Sequence, residues 1–165
     1  MDDQISLLTS YLEYSRASKI FLRIGYEFDN PAFGYSDDPA LFILAFRKIV
    51  TDIRDNLSDG TAKRVMFVWH SWGAPMANKG LSLKRFYPGN NFVDWIGVSI
   101  FQQVFPWSPS WGGKMEDVEN VLDFAARHDK VCLHFMVQEM RLDPSSKWYD
   151  HKSNSCGLVS SIAHT

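Results

Sequence analysis

KIFLRIGYEFD, the segment Lys19–Asp29, decides the fold of this chain of 165 residues. It begins as an apolar run with β-branched residues, which predicts a strand over Ile20–Ile24. The run gives way to Gly25, and Glu27 then stands between two aromatic residues. Glu27 thus stands at the end of a strand, and a carboxylate at the C-terminal tip of a strand that leads into a βα loop has the position that catalytic groups take in α/β barrels. Glu27 is therefore the first candidate for a functional residue.

Helical and strand patterns alternate on both sides of this segment. Apolar residues at helical spacing predict helices, and nearly continuous apolar runs predict strands that are covered on both faces. The predicted helices span residues 3–15, about 39–56 and 115–128, and the further predicted strands span residues 64–69, 93–101 and 131–137. Strands that alternate with helices predict an α/β fold with a parallel sheet and right-handed crossovers.

The end of the chain has a different composition from the rest. Residues 140–165 are rich in Ser, Asn and His and show no clear period. We therefore expect one domain over residues 1–139, followed by a tail over residues 140–165 that is disordered or loosely attached.

The composition excludes several classes of partner and chemistry. The net charge is −2 and there is no basic run, so nucleic acid and anionic membranes are not expected partners. No apolar run approaches the ~20 residues of a membrane span, and the N-terminus lacks the pattern of a signal peptide. Cys132 and Cys156 form no metal motif, and the histidines have no metal-binding spacing. We expect neither a metal nor a cofactor.

Aromatic residues make up 15% of the chain, which is a high share. One interpretation is a large aromatic core. The other is that some of these rings are stacking platforms for flat ligand faces such as those of sugar rings. The composition leaves both interpretations open.

Four blocks of the sequence resemble one known family. The blocks are Leu22–Asp29, Ala45–Val50, Val65–His70 and Phe86–Ser99. Together they resemble glycoside hydrolase family 26, whose members are (β/α)8-barrel β-mannanases and related enzymes that cleave β-linked glycans with retention. The resemblance extends over roughly residues 19–130 and implies a parallel (β/α) barrel of the TIM type. Because a whole barrel takes about 250 residues, it implies an incomplete barrel with about strands four to seven of the eight.

The resemblance also implies a reaction, which is the hydrolysis of O-glycosidic bonds in a β-mannan-like polysaccharide by retaining double displacement. It implies Glu27 as the acid/base and Glu139, at the end of the last predicted strand, as a tentative nucleophile. Each residue has a simpler interpretation: Glu27 as a strand-end glutamate and Glu139 as an exposed glutamate. Without Glu139 as nucleophile, the chain is an inactive or truncated glycan-binding homologue. A metal-dependent barrel hydrolase is a third interpretation.

Four further residues are candidates for substrate binding. Arg23 lies on the same side of its strand as Glu27 and can hold a carboxylate inside the barrel. Trp69 suits either stacking on a sugar or packing in the core, and His70 suits a hydrogen bond to a sugar hydroxyl or within its own loop. Trp107 belongs to a loop on the catalytic side, where it lines a subsite or is an ordinary exposed residue.

Two more candidates for substrate binding depart from the family pattern. Many members have His directly before the acid/base, where this chain has Tyr26, and many have Tyr near the end of strand six, where it has Phe101. A Tyr still donates a hydrogen bond, whereas a Phe has no hydroxyl.

As a partner, the resemblance implies a polysaccharide or oligosaccharide substrate. We expect the protein to be a monomer. The resemblance to the family implies that the protein is secreted, although the N-terminus lacks the pattern of a signal peptide.

Overall fold

The computed structural model describes residues 2–73, 82–99 and 115–135. The helices are α1 (Asp2–Tyr14), α2 (Pro39–Asn56), α3 (Asp59–Ala62) and α4 (Met115–Arg127), and the strands are β1 (Ile20–Arg23), β2 (Val65–Ser71), β3 (Trp95–Ser99) and β4 (Val131–Phe135). Short 3-10 helices lie in the connections at Gly34–Asp37 and Leu83–Phe86. No helix within these described ranges is long and apolar enough to cross a membrane.

The four strands form one sheet in the order β1-β2-β3-β4, and each neighbouring pair is parallel. The register sets Arg23 beside Val68 and His70 beside Gly97. The predicted α/β class with a parallel sheet is thereby confirmed. Closing a barrel of this type takes about eight strands, so the TIM-type barrel stays a prediction.

Helix α2 forms where the sequence provides both a start signal and an apolar stripe. The Asp38 carboxylate accepts a hydrogen bond from the Leu41 backbone N–H at 2.9 Å, and Pro39 occupies the first turn. The buried side chains recur three or four residues apart and are Phe42, Phe46, Val50 and Ile53. Burying each such side chain stabilises the fold by about 1.5–3 kcal/mol, so this stripe holds α2 in the core.

The two faces of the sheet differ in character. Because successive side chains of a strand point to opposite faces, Trp69 and His70 lie on different sides of β2. On one side, Trp69 packs against Phe28 and against Phe124 of α4, with ring centroids 4.3 and 5.4 Å apart. On the other side, His70 meets polar side chains of β1 and β3. The apolar core therefore lies between the sheet and the helices, and a polar group of side chains lies on the opposite face.

The first strand is one residue shorter than predicted, and this changes the position of Glu27. β1 ends at Arg23, and residues 24–29 form a turn. Gly25 and Glu27 both have a positive φ in this turn, 53° and 55°. A Cβ at Gly25 would also lie 2.8 Å from the ring of Phe42, so glycine is required there on two counts. Glu27 lies on a tight turn that follows the strand and not at the last residue of the strand.

The bounds of β2 and β3 also differ from the prediction. β2 begins one residue later than predicted, at Val65, and ends two residues later, at Ser71, whereas β3 begins only at Trp95. Asp94 gives a physical reason for the late start of β3. Its carboxylate accepts a hydrogen bond from the Phe67 N–H at 2.8 Å, so a side chain satisfies a donor that strand pairing would otherwise use.

Candidate active site beyond the ends of the strands

Glu27 is buried beyond the carboxyl ends of neighbouring parallel strands, with only 5% of its surface exposed. Backbone hydrogen bonds hold the turn that carries it. The Phe28 N–H donates to the His70 carbonyl at 3.4 Å, and the Asn30 N–H donates to the Glu27 carbonyl at 2.8 Å. A positive φ at a residue other than glycine costs about 1–3 kcal/mol and occurs preferentially at active sites. The observed strain therefore supports a functional role for Glu27.

Both carboxylate oxygens of Glu27 accept hydrogen bonds. Ser99 Oγ at the end of β3 donates to Oε1 at 2.7 Å, and Asn30 Nδ2 donates to Oε2 at 3.1 Å. These neutral donors fix the orientation of the carboxylate without neutralising its charge. A carboxyl group that is oriented in this way is suited to proton transfer.

His70 lies beside this group and has no exposed surface. Its Nε2 is 3.0 Å from Ser99 Oγ, and its Nδ1 is 3.3 Å from a guanidinium nitrogen of Arg23. Burial, and after it the charge of Arg23, lowers the pKa of His70 to about 3. The imidazole is neutral near pH 7, and its polar contacts within the protein favour an internal role over a contact with a sugar hydroxyl.

Asp29 is a second buried carboxyl group near Glu27. Ser71 Oγ donates to one of its oxygens and the Trp72 N–H donates to the other, both at 2.5 Å. Burial raises the pKa of Asp29 to about 6, although these hydrogen bonds oppose the shift. Asp29 thus joins the turn that carries Glu27 to the last residue of β2 and to the residue that follows it.

His70 and Asp29 are expected to change the stability in opposite directions as the pH changes. Asp29 binds its proton more tightly in the folded protein than in the unfolded chain. Its contribution to the free energy of unfolding is therefore present below about pH 3.8 and is lost as the pH rises to about 6. Native His70 binds its proton more weakly than in the unfolded chain. Its contribution is therefore present above about pH 6.5 and is lost as the pH falls toward about 3.

The variants Asp29→Asn and His70→Gln separate the two contributions. Relative to wild type, the free energy of unfolding of Asp29→Asn is expected to rise by about 3 kcal/mol between about pH 4 and pH 7, since one pKa unit corresponds to about 1.4 kcal/mol. Relative to wild type, that of His70→Gln is expected to fall over the same range. Urea denaturation followed by tryptophan fluorescence measures both differences. If these differences from wild type did not change with pH, the buried environments described for Asp29 and His70 would be contradicted.

Trp69, a candidate for sugar stacking, lies on the face of the sheet opposite to His70. It has no exposed surface, and its Nε1–H donates to the Phe86 carbonyl at 3.1 Å. Its ring stacks on Phe28, which directly follows Glu27. Of the two interpretations of Trp69, core packing describes the structure, because a fully covered indole has no face available to a sugar.

Tyr26 and Arg23 lie at the exposed border of the site. Tyr26 is 43% exposed, and its ring centroid is 5.8 Å from that of His70. The Arg23 guanidinium carbon lies 5.4 Å from the centroid of the Tyr26 ring. The structure therefore brings together four of the sequence candidates, which are Arg23, Tyr26, Glu27 and His70.

Three other candidates, Glu139, Phe101 and Trp107, lie outside the described residues. The predicted tail and the domain boundary before it also lie outside them. Among the residues that the structure describes, no group of three or more His, Cys, Asp or Glu could hold a metal ion.

Sequence reasoning did not single out two residues that contact the Glu27 carboxylate. Ser99 belongs to the C-terminal part of the strand predicted over residues 93–101, and this position is a signal that could have identified it. Asn30 follows Glu27 by three residues in the same turn segment. The nearness of Ser99 to Glu27, which is 72 residues away along the chain, becomes visible only in the folded structure.

Comparison with known proteins finds similarity at the level of structure. No family model and no curated protein matches the chain. BoMan26A, a GH26 β-mannanase from Bacteroides ovatus, superposes with a TM-score of 0.59 and 14% identity over 82% of this chain and 40% of that chain. The chain is similar in fold to a GH26 enzyme. GH26C from a Muricauda species superposes with a TM-score of 0.57 and 16% identity over 80% of this chain and 36% of that chain. The chain spans two fifths or less of the length of these two GH26 proteins.

Proposed function

We propose that the chain is part of a retaining glycoside hydrolase of the family 26 type that acts on a β-mannan-like polysaccharide, with Glu27 as the acid/base. The observation that carries this proposal is the Glu27 carboxyl group, which is buried beyond the ends of parallel strands and accepts hydrogen bonds at both oxygens. The similarity in fold to two GH26 proteins supports the same reaction class. The sequence blocks around Glu27 support the choice of this residue.

The proposed architecture is a (β/α)8 barrel of which β1 to β4 correspond to strands four to seven. The match to 40% and 36% of the two GH26 chains agrees with a part of a barrel. Catalytic groups of such barrels project from the carboxyl ends of the strands. Glu27 and Ser99 lie at this end of the sheet.

In the proposed reaction, Glu27 acts first as an acid and then as a base. It protonates the glycosidic oxygen while the nucleophile attacks the anomeric carbon, and it later takes a proton from the water that hydrolyses the glycosyl-enzyme. The two carboxyl groups of a retaining enzyme lie about 5–5.5 Å apart. We propose Glu139 as the nucleophile on the sequence resemblance alone. Tyr26, which is half exposed beside Glu27, is proposed to contact a sugar ring.

The stereochemistry of hydrolysis tests this proposal. The full chain is expected to hydrolyse a β-1,4-linked manno-oligosaccharide and to release the new reducing end first as the β-anomer, because two successive inversions restore the configuration. Proton NMR distinguishes the anomers before they interconvert.

Release of the α-anomer first would contradict the retaining mechanism, and no release of sugar would contradict the proposed function. Binding of the oligosaccharide without turnover, measured by calorimetry, would instead favour the glycan-binding alternative.

A further inference from the structure

A line of polar contacts crosses three neighbouring strands and ends at Glu27. Arg23 of β1 contacts His70 Nδ1 of β2 at 3.3 Å, His70 Nε2 contacts Ser99 Oγ of β3 at 3.0 Å, and Ser99 Oγ donates to Glu27 Oε1 at 2.7 Å. In the sheet, Arg23 pairs with Val68, and His70 lies two residues after Val68 on β2. His70 in turn pairs with Gly97, and Ser99 lies two residues after Gly97 on β3. Residues two apart on a strand share a face, so all three side chains lie on the same side of the sheet.

The chemistry of the groups fixes the direction of the two bonds that His70 makes in this line. A guanidinium only donates hydrogen bonds, so His70 Nδ1 is the acceptor from Arg23. A neutral imidazole carries its single proton on the other nitrogen, so His70 Nε2–H donates to Ser99 Oγ. The one proton of Ser99 is then available to Glu27 Oε1, in agreement with the 2.7 Å contact.

Burial keeps the inner part of this line, from His70 to Glu27, free of competition from water, whereas Arg23 at its outer end is exposed. His70 has no exposed surface, and Ser99 and Glu27 are 2% and 5% exposed. The low pKa of His70, about 3, keeps the ring neutral and its Nδ1 available as an acceptor. The direction of the line therefore does not reverse near neutral pH.

We propose that Arg23, His70 and Ser99 form a positioning relay that holds Glu27 Oε1 as a hydrogen-bond acceptor, so that the proton delivered to the leaving group is carried by Oε2. Oε1 faces a donor that is itself held in place, and a proton on Oε1 would require Ser99 to turn its own proton away from Glu27. Among the residues that the structure describes, Oε2 has one hydrogen-bond donor, the amide of Asn30 at 3.1 Å, and a protonated Oε2 can still accept from that amide. This inference rests on the proposed role of Glu27 and names the oxygen that performs it.

Two substitutions at residue 70 form a matched pair that separates the two ends of the relay. In His70→Gln, the amide nitrogen reaches the position of Nε2 and can still donate to Ser99. In His70→Asn, the shorter amide reaches only the position of Nδ1, so it can accept from Arg23 but leaves Ser99 without its donor. Both variants replace the imidazole ring with a neutral amide. A difference in activity between them therefore reflects which hydrogen bond is kept and not the loss of the ring.

The relay is expected to affect only the step that needs a proton. With a manno-oligosaccharide, His70→Asn is expected to lower kcat by about 10–100-fold, the cost of slightly misplacing a catalytic group, with KM changed by less than about twofold. His70→Gln is expected to stay within about fivefold of wild type. With a dinitrophenyl β-mannoside, whose leaving group needs no proton, kcat/KM is expected to be close to wild type in both variants. Equal losses in both variants, or equal losses on both substrates, would contradict the relay.

A second measurement on the wild-type chain does not depend on activity. Nitrogen-15 NMR of the His70 ring is expected to show a proton on Nε2 and none on Nδ1. A proton on Nδ1 would overturn the relay even if the variants do not fold. If the wild-type chain cleaves neither substrate, the proposed function fails. The NMR measurement then still shows whether His70 donates to Ser99, because it does not require activity.

Discussion

Replacing Glu27 with Gln is expected to lower the turnover of a β-1,4-linked manno-oligosaccharide by about 10²–10⁴-fold, the usual contribution of general acid–base catalysis. Glutamine has nearly the same volume and keeps an oxygen that accepts from Ser99, so the hydrogen bond at 2.7 Å can persist. It can neither release nor take up a proton at neutral pH. The loss should therefore lie in kcat and leave the binding of the oligosaccharide nearly unchanged.

The matched control for this variant is Glu119→Gln. Glu119 is exposed on α4, so the same change of charge there is expected to leave turnover within about twofold of wild type. Initial rates of reducing-sugar release, with both variants at equal concentration, measure the comparison. If Glu27→Gln retained the rate of Glu119→Gln, Glu27 would not be the acid/base.

Replacing Trp69 with Ala is expected to lower the free energy of unfolding by about 3–5 kcal/mol. The indole is fully buried and packs against Phe28, Tyr87 and Phe124, with ring centroids 4.3, 5.2 and 5.4 Å away. The substitution removes these contacts, leaves a cavity and also removes the donor to the Phe86 carbonyl. A typical domain has only about 5–15 kcal/mol of stability, so much of the population could unfold.

Two further substitutions calibrate the effect at Trp69. Trp69→Phe keeps a ring against Phe28 but loses the hydrogen bond to the Phe86 carbonyl, so we expect an intermediate loss of about 1–3 kcal/mol. Tyr11→Ala removes a side chain that is 72% exposed and should change the stability by less than about 0.5 kcal/mol. Urea midpoints with unchanged slopes measure all three variants. A loss below about 1 kcal/mol for Trp69→Ala would contradict the core position of Trp69.

Local sequence patterns predicted the elements whose signals lie within a few neighbouring residues. The start of α2 was predictable because Pro39 follows two acidic residues, Asp37 and Asp38, of which Asp38 is the cap in the structure. The buried stripe of α2 follows the helical period. The parallel sheet was predictable because the strands alternate with helices. The place of Glu27 near the carboxyl end of the first strand followed from the change from an apolar run to Gly25, whereas its position on a tight turn did not.

The remaining features depend on contacts between distant parts of the chain. Ser99 and His70 reach the site through the register of β2 and β3, which no local pattern contains. The two interpretations of Trp69 differ only in which face of β2 the side chain occupies, and this depends on the packing of Phe28 and α4. Glu27 likewise has its positive φ in a turn that a hydrogen bond from Phe28 to the distant His70 helps to hold.

The most direct test of Glu27 as proton donor and later base is the effect of azide on the Glu27→Gln variant. With a dinitrophenyl β-mannobioside, the variant is expected to form the glycosyl-enzyme, because the leaving group needs no proton, and then to stall, because water needs a base. Azide needs no base, so it is expected to accelerate turnover and to give the β-mannosyl azide. Turnover of the variant at the wild-type rate without azide, or no effect of azide on a stalled variant, would contradict the assignment.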